Sequence, residues 1–229
     1  MINGKKVIAI IPARGGSKRL PKKNILPLNG KPLIGWSIDE AKNSQYIDEI
    51  FVSTDDPAIA DISESYDISI PELRPDELSS DNARTDDVLT YTLGKFGEGF
   101  DIVILLQPSS PLRTSKHIDE ALELFIEKKA ISVVSVTNCE HPPQWTNILP
   151  ENGSLFDFIK PENIKRSQDL DTYYRLNGAV YIYDINEFSN NEAIIFSEGS
   201  YAYVMDNKSS IDIDTAFDFE MAKFVFSIR

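Results

Sequence analysis

The feature that most constrains this chain is a repeated alternation. Short runs of β-branched apolar residues are separated by stretches whose apolar residues recur at helical spacing. The runs are Lys6–Pro12 (KVIAIIP), Glu49–Thr54 (EIFVST), Asp101–Leu106 (DIVILL) and Ile131–Val136 (ISVVSV). Each is four to seven residues of near-continuous apolar sequence, the pattern of a strand covered on both faces. Between them, Pro32–Asn43, Pro57–Ser65, Thr85–Phe96 and Ser115–Glu127 read as helices. Leu33, Ile34, Ile38 and Ala41 form the stripe of the first, and Ile118, Ala121, Leu122 and Phe125 that of the last. A short strand is predicted at Asp67–Ile70. Strands alternating with helices predict an α/β fold, a mostly parallel sheet sandwiched by helices with right-handed crossovers.

The alternation stops between about Asn138 and Tyr174. There Asn152-Gly153 sits between Trp145–Leu149 and Leu155–Ile159, the signature of a hairpin turn. The segment at about 140–174 reads as an excursion from the sheet within a single domain of residues 1–229, either a lid or a dimerisation arm. The sheet is predicted to resume at Gly178–Tyr183, with a last strand at Tyr201–Met205 and a closing helix at Thr215–Phe226.

Composition adds exclusions. No apolar run approaches the ~20 residues of a membrane span. Nothing at Met1–Lys6 resembles a signal peptide, and one cysteine, Cys139, permits no internal disulfide. These points favour a cytoplasmic location with no membrane partner. The net charge of −13 argues against a nucleic-acid partner. The charge is unevenly spread. Lys5, Lys6, Arg14, Lys18, Arg19, Lys22, Lys23 and Lys31 precede the first acid, Asp39. An acidic protein with one basic segment, interleaved with glycine and serine directly after a strand, suggests a site for a small polyanion.

In an open parallel sheet, ligands bind beyond the carboxyl ends of the strands. Those ends carry Arg14-Gly15-Gly16-Ser17, Ser53-Thr54-Asp55 and Gln107-Pro108-Ser109-Ser110. Gly15 and Gly16 are able to take positive φ and to bring backbone amides close to phosphate. Arg14 can fork onto phosphate oxygens and Lys23 can supply a point charge. The loop fits neither the P-loop pattern nor the dinucleotide fingerprint. Near the other end, Asp212 and Asp214 are spaced i and i+2, so an extended backbone directs both carboxylates to one side. That arrangement suits magnesium. Asp214 also reads as the N-cap of the closing helix, and both readings stand.

The run Ile8–Asn24 (IAIIPARGGSKRLPKKN) resembles the nucleotide-binding loop of the acylneuraminate cytidylyltransferases, the CMP-sialic acid synthetases. The likeness continues in order through Val52–Asp55, Arg74-Pro75, Leu78–Asp81, Leu106–Arg113, Arg175–Ala179 and Ser210–Thr215. It implies a fold like that of the nucleotide-diphospho-sugar transferases and a homodimer, with the arm reaching the partner subunit. It implies CTP and a nonulosonic acid as substrates and Mg2+ as cofactor. Arg14 and Lys23 would hold the triphosphate, aided by Gly15 and Ser17, and Asn24 would contact the ribose. Arg74, Ser80 and Thr85 would read the cytosine. Gln107 and Ser109 would face the sugar acid, and Arg175 and Tyr181 would lie nearby. Asp212 and Asp214 would hold the metal, and with Arg14 and Lys23 form the catalytic set. One departure concerns the sugar: where the family often carries Arg-Arg-Gln, this chain has Arg166-Ser167-Gln168. Legionaminic, pseudaminic and 3-deoxy-octulosonic acids therefore stay open as acceptors. A metal-dependent glycosyltransferase and a non-catalytic nucleotide-binding module are the readings from other classes.

Overall fold

The computed structural model describes residues 1–188 and 194–228. In chain order the elements begin with β1 (Val7–Pro12) and a small hairpin of β2 (Pro27–Leu28) and β3 (Lys31–Pro32). Then come α1 (Leu33–Asn43), β4 (Glu49–Ser53), α2 (Pro57–Ser65), α3 (Thr85–Phe96) and β5 (Ile102–Leu105). They are followed by α4 (Ser115–Lys128), β6 (Ser132–Asn138), β7 (Tyr174–Asp184), α5 (Ile185–Phe188), β8 (Ser200–Met205) and α6 (Ala216–Ser227).

Six strands form one sheet in the order β4-β1-β5-β7-β6-β8. All run parallel except β7, which lies antiparallel to both neighbours. The alternation along β1 explains the two layers. Val7, Ala9 and Ile11 pack with Ile34 and Ile38 of α1, Ile59 of α2 and Ile118 and Leu122 of α4. Ile8 and Ile10 point the other way, toward Leu89 of α3. Both faces of the strand are thus buried, as its unbroken apolar sequence requires.

A third, smaller core positions the site. Ile213 is fully buried with Leu28, Leu33, Phe219 and Ala222. Trp36 packs against Phe226 with the rings tilted and 4.3 Å between centroids, and donates through Nε1 to the Leu28 carbonyl. This cluster clamps α6 and the segment before it onto the hairpin that follows the basic loop.

Three local expectations are corrected. Asp67–Ile70 forms no strand. The Ile68 amide bonds the Ser63 carbonyl, and Asp67 sits in the left-handed region at φ 56°, so the segment closes the end of α2. Asn152-Gly153 makes a turn, with Gly153 at φ 69° donating to the Pro150 carbonyl, but no strands pair around it. Ile148, Leu149, Leu155 and Phe156 are exposed and have nothing to pack against, so apolar alternation alone stabilises no ladder here. The arm instead runs as irregular chain with single helical turns, pinned by Trp145 Nε1 donating to the Asn163 carbonyl at 3.0 Å. Finally, Thr215 and not Asp214 caps α6. Its hydroxyl accepts from the Asp218 amide while Asp218 takes the Thr215 amide in return.

β7 carries the main irregularity. Tyr181 pairs with Val134 and Leu176 with Val136, so Asn177–Val180 face Ser135 alone. Gly178 takes φ 75°, which favours glycine. Asn177 is buried and fills the gap. Its side-chain oxygen accepts from Ser135 Oγ and the Ala179 amide, and its nitrogen donates to Ser210 Oγ at 2.9 Å. Asn177→Ala strands these buried groups and is expected to cost about 2 kcal/mol. The checking measurement is urea unfolding, which should show a lower midpoint at unchanged slope.

Candidate active site

A cleft of about 460 Å³ opens at the carboxyl ends of β1 and β5. Its first wall is the basic loop, with Arg14, Ser17, Lys18, Lys23 and Asn24. The facing wall carries Arg74, Ser80, Asp81 and Thr85. Gln107 and Ser109 form the floor, and Asp214 closes one end. The chain's two ends therefore meet. Lys23 Nζ donates to the Ile213 carbonyl at 2.7 Å and to Asp214 Oδ1 at 3.2 Å. Arg19 Nη2 reaches Asp214 Oδ2 at 2.8 Å.

Opposite, Arg14 Nη1 bonds the Ser80 carbonyl at 3.0 Å and pairs with Asp81 at 3.1 Å, and Lys18 pairs with the same carboxylate. The Lys18 bond, with Coulomb attraction from Lys18 and Arg14, holds the Asp81 carboxyl below the usual range. Asp81 and Asp214 thus each hold two cations of the basic loop. Sequence reasoning had not singled out Asp81, Lys18 or Arg19 as site residues. Asp81 lay within a quoted motif, but its partner is set only by the fold.

The glycines behave differently from expectation. Neither Gly15 nor Gly16 has positive φ; the left-handed residue of this loop is Lys22, at φ 56°. Gly15 donates its amide to Asp55 Oδ1 at 3.0 Å, and a side chain there would collide with Asp56. Glycine is required by this close approach, and the amide is already used within the protein. Asn24 is buried and donates its side-chain amide to the Arg14 carbonyl at 2.9 Å, so it braces the loop.

Arg74 is buried at the cleft wall, donating through Nε to Ser79 Oγ at 3.1 Å, with Asp55 at 3.6 Å. Burial pulls its basicity down and Asp55 opposes that. A guanidinium fixed this way presents its remaining nitrogens in one orientation.

Asp212 lies beyond Ser109 and does not line the cleft itself. Burial raises its carboxyl pKa, the bond from Ser109 and the charge of Lys23 lower it, and the Asp214 charge adds to the rise. Ile213 points into the small core, and the two acids flanking it are electrostatically coupled, as i and i+2 spacing requires. Gly178 lies next to this group: a Cβ there would stand 3.8 Å from Asp212 Oδ2 and Ser110 Oγ and 3.9 Å from Gln107 Oε1.

Tyr181 and Arg175 lie outside the cleft. Tyr181 is largely buried, and burial, reinforced by the Asp212 charge, raises its hydroxyl pKa. Arg175 is bound to Glu140 at the root of the arm, at 2.6 Å. Of the two histidines, His117 completes the cap of α4, its Nδ1 accepting from the Thr114 amide.

The family profile described as cytidylyltransferase matches residues 8–224. The CMP-N,N'-diacetyllegionaminic acid synthase of Legionella pneumophila is 38% identical, over 98% of this chain and 97% of its own. The pseudaminic acid cytidylyltransferase of Campylobacter jejuni is 35% identical, over 98% and 97%. The N-acylneuraminate cytidylyltransferase of Streptococcus agalactiae is 40% identical over 93% of this chain, which spans only 52% of that longer protein. Among solved structures, a CMP:2-keto-3-deoxy-manno-octonic acid synthetase in complex with CTP superposes with a TM-score of 0.74 over 97% of this chain and 99% of its own. At 18% identity it speaks to the fold alone. With its sheet, its basic loop and the profile match over nearly its whole length, the chain belongs to the cytidylyltransferase family and is a nucleotidyltransferase.

Proposed function

We propose that this protein transfers CMP from CTP to the anomeric hydroxyl of a nonulosonic acid of the sialic-acid type and releases pyrophosphate. The observation that carries the reading is the Lys23 ammonium, bonded at once to the Ile213 carbonyl and to Asp214. It ties the basic loop to Asp214 at one end of the cleft, with Asp212 two residues away.

Transfer of a nucleotidyl group is catalysed mainly by positioning and charge. The sugar hydroxyl attacks the α-phosphorus and the pyrophosphate oxygen leaves in line. Arg14 and Lys23 offset the charge that grows on pyrophosphate. Before the nucleotide arrives these cations are held by Asp81 and Asp214, and the phosphates take the carboxylates' place. Arg74, fixed by Ser79 and Asp55, meets the base beside Ser80 and Thr85, and Gln107 and Ser109 face the acid.

The residues suit magnesium. Asp212 is solvent-accessible, and partial desolvation together with the neighbouring charge of Asp214 pushes its carboxyl pKa up. A hard divalent cation would be held by Asp212 and Asp214 and would offset the repulsion between them. When bound it would neutralise charge and act as a Lewis acid on the α-phosphate. Pyrophosphate release is therefore expected to stop in excess EDTA and return with added magnesium; full activity in EDTA removes the metal from the account.

The near-full-length similarity to legionaminic and pseudaminic relatives keeps those acids beside sialic acid as acceptors. The test is pyrophosphate release across four nucleoside triphosphates and a panel of nonulosonic acids. Only CTP should serve, and release should require an acid; release with no acid, or equal use of all four nucleotides, contradicts the reading.

The arm supports a homodimer. Ile148 and Phe156 are 89% and 85% exposed, with Leu155 and Ile164 also open, which suits burial against a second copy. Light scattering at twice the chain mass checks it. Among the described residues no helix is long and apolar enough to cross a membrane. A nucleoside triphosphate substrate and a single cysteine fit a cytoplasmic enzyme.

A further inference from the structure

Arg113 is the largest fully buried side chain among the described residues, 1% exposed. Its hydrogen bonds go to backbone and hydroxyl oxygens. Nη1 donates to the Gln107 carbonyl at 3.2 Å and to the Ala179 carbonyl at 2.7 Å. Nη2 donates to Ser37 Oγ at 2.6 Å, and Nε has no partner. Ser37 in turn donates to the Gln107 carbonyl at 3.4 Å. Burial lowers the guanidinium pKa to about 10, with the charge of Glu40 opposing, so it stays protonated at neutral pH.

A charge buried with no carboxylate in hydrogen-bond contact is a costly way to fill a core, and an apolar side chain of similar volume is often as stable or more so. What the charge secures is geometric. The Gln107 carbonyl belongs to the floor of the cleft. The Ala179 carbonyl belongs to the bulge of β7, next to Gly178, which faces Gln107 Oε1, Ser110 Oγ and Asp212 Oδ2. One guanidinium therefore ties the loop after β5 to the bulge, with Ser37 of α1 as the third anchor. The basic loop and Arg74 take no part in this knot.

We propose that Arg113 is a positioning residue for the acceptor half of the reaction: it fixes the Gln107 floor against the Gly178 bulge, where the acid is held. The inference rests on the assignment of Gln107 and Ser109 to the sugar acid. A purely structural role would lower stability and disturb both substrates alike. A positioning role separates them.

The test compares full-length Arg113→Met, Arg113→Lys and Ile38→Val. The last trims the α1 core to give a loss of melting temperature without touching the floor. Arg113→Met is expected to raise KM for the acid about tenfold or more, since small misplacements at a site have large kinetic effects. Its KM for CTP, and CTP binding by calorimetry, should stay within about twofold. Arg113→Lys should recover part of the loss, because an ammonium still reaches one of the two carbonyls. Equal shifts for acid and CTP, or a change no larger than that of Ile38→Val, overturn the proposal. Should Arg113→Met fail to fold, Ser37→Ala decides: removing the second donor to the Gln107 carbonyl raises KM for the acid about threefold with CTP unaffected, and no change overturns it. Failure of wild-type enzyme to release pyrophosphate with any acid would instead defeat the proposed function.

Discussion

Asp212→Asn loses turnover by about 10²–10³-fold and keeps the fold. The carboxylate is expected to share a metal with Asp214, and the amide cannot. The stability side has the opposite sign. Burial and Asp214 raise the folded-state pKa of Asp212, so its contribution to stability is present at low pH and is lost as pH rises through that raised value. Asp212 is exposed, so water screens most of the cost of ionising it at neutral pH. Asparagine retains a polar partner for Ser109, so the melting temperature at pH 7.5 should be unchanged or slightly higher. A stopped-assay rate beside a thermal melt checks both halves. A variant that is slow and also unfolded assigns Asp212 a structural role.

Lys23→Ala should lower kcat/KM for CTP by about 10²-fold or more while KM for the acid changes little. Lys23 is mostly buried, and its ammonium is the link between the basic loop and the segment before α6. Two effects follow from its loss. The triphosphate loses a point charge, and the Ile213 carbonyl loses its donor. The second effect is structural, and Lys23→Arg separates them: it keeps the charge and the hydrogen bond to the carbonyl but reshapes the donor. Arginine should therefore hold the melting temperature and recover part of the CTP dependence. Comparable losses for CTP and for the acid would count against placing Lys23 on the triphosphate.

The sheet was legible because its strands are simple objects. Val7–Pro12 and Ile102–Leu105 are apolar on both faces, and few environments other than a covered sheet accept that sequence. The reversed direction of β7 was not legible, since a strand's apolar pattern does not depend on its direction. The convergence of Lys23 with Asp214 was legible because a basic run and an i, i+2 acid pair each suggest the same anion–metal chemistry. The pairings around them were not. Arg19 with Asp214 and Lys18 with Asp81 join residues far apart in sequence and are fixed only by the cluster around Ile213 and by the loop before α3. Gly15 shows a subtler limit. Sequence says that glycine is needed, and only the position of Asp56 says why. The arm shows the reverse error: a turn signal was present and real, but its flanks had no sheet to join. Arg113 lay inside a recognised motif, and its use as a tie between Gln107 and Ala179 needed the bulge of β7 to exist first.

The most direct test of the account is a crystal structure with a non-hydrolysable CTP analogue and manganese, located by its anomalous signal. The account predicts the manganese at Asp212 and Asp214, with the triphosphate between that ion and the side chains of Arg14 and Lys23, and Asp81 released from Arg14. A nucleotide seated with its phosphates away from the basic loop, or a metal bound elsewhere than this carboxylate pair, would contradict it.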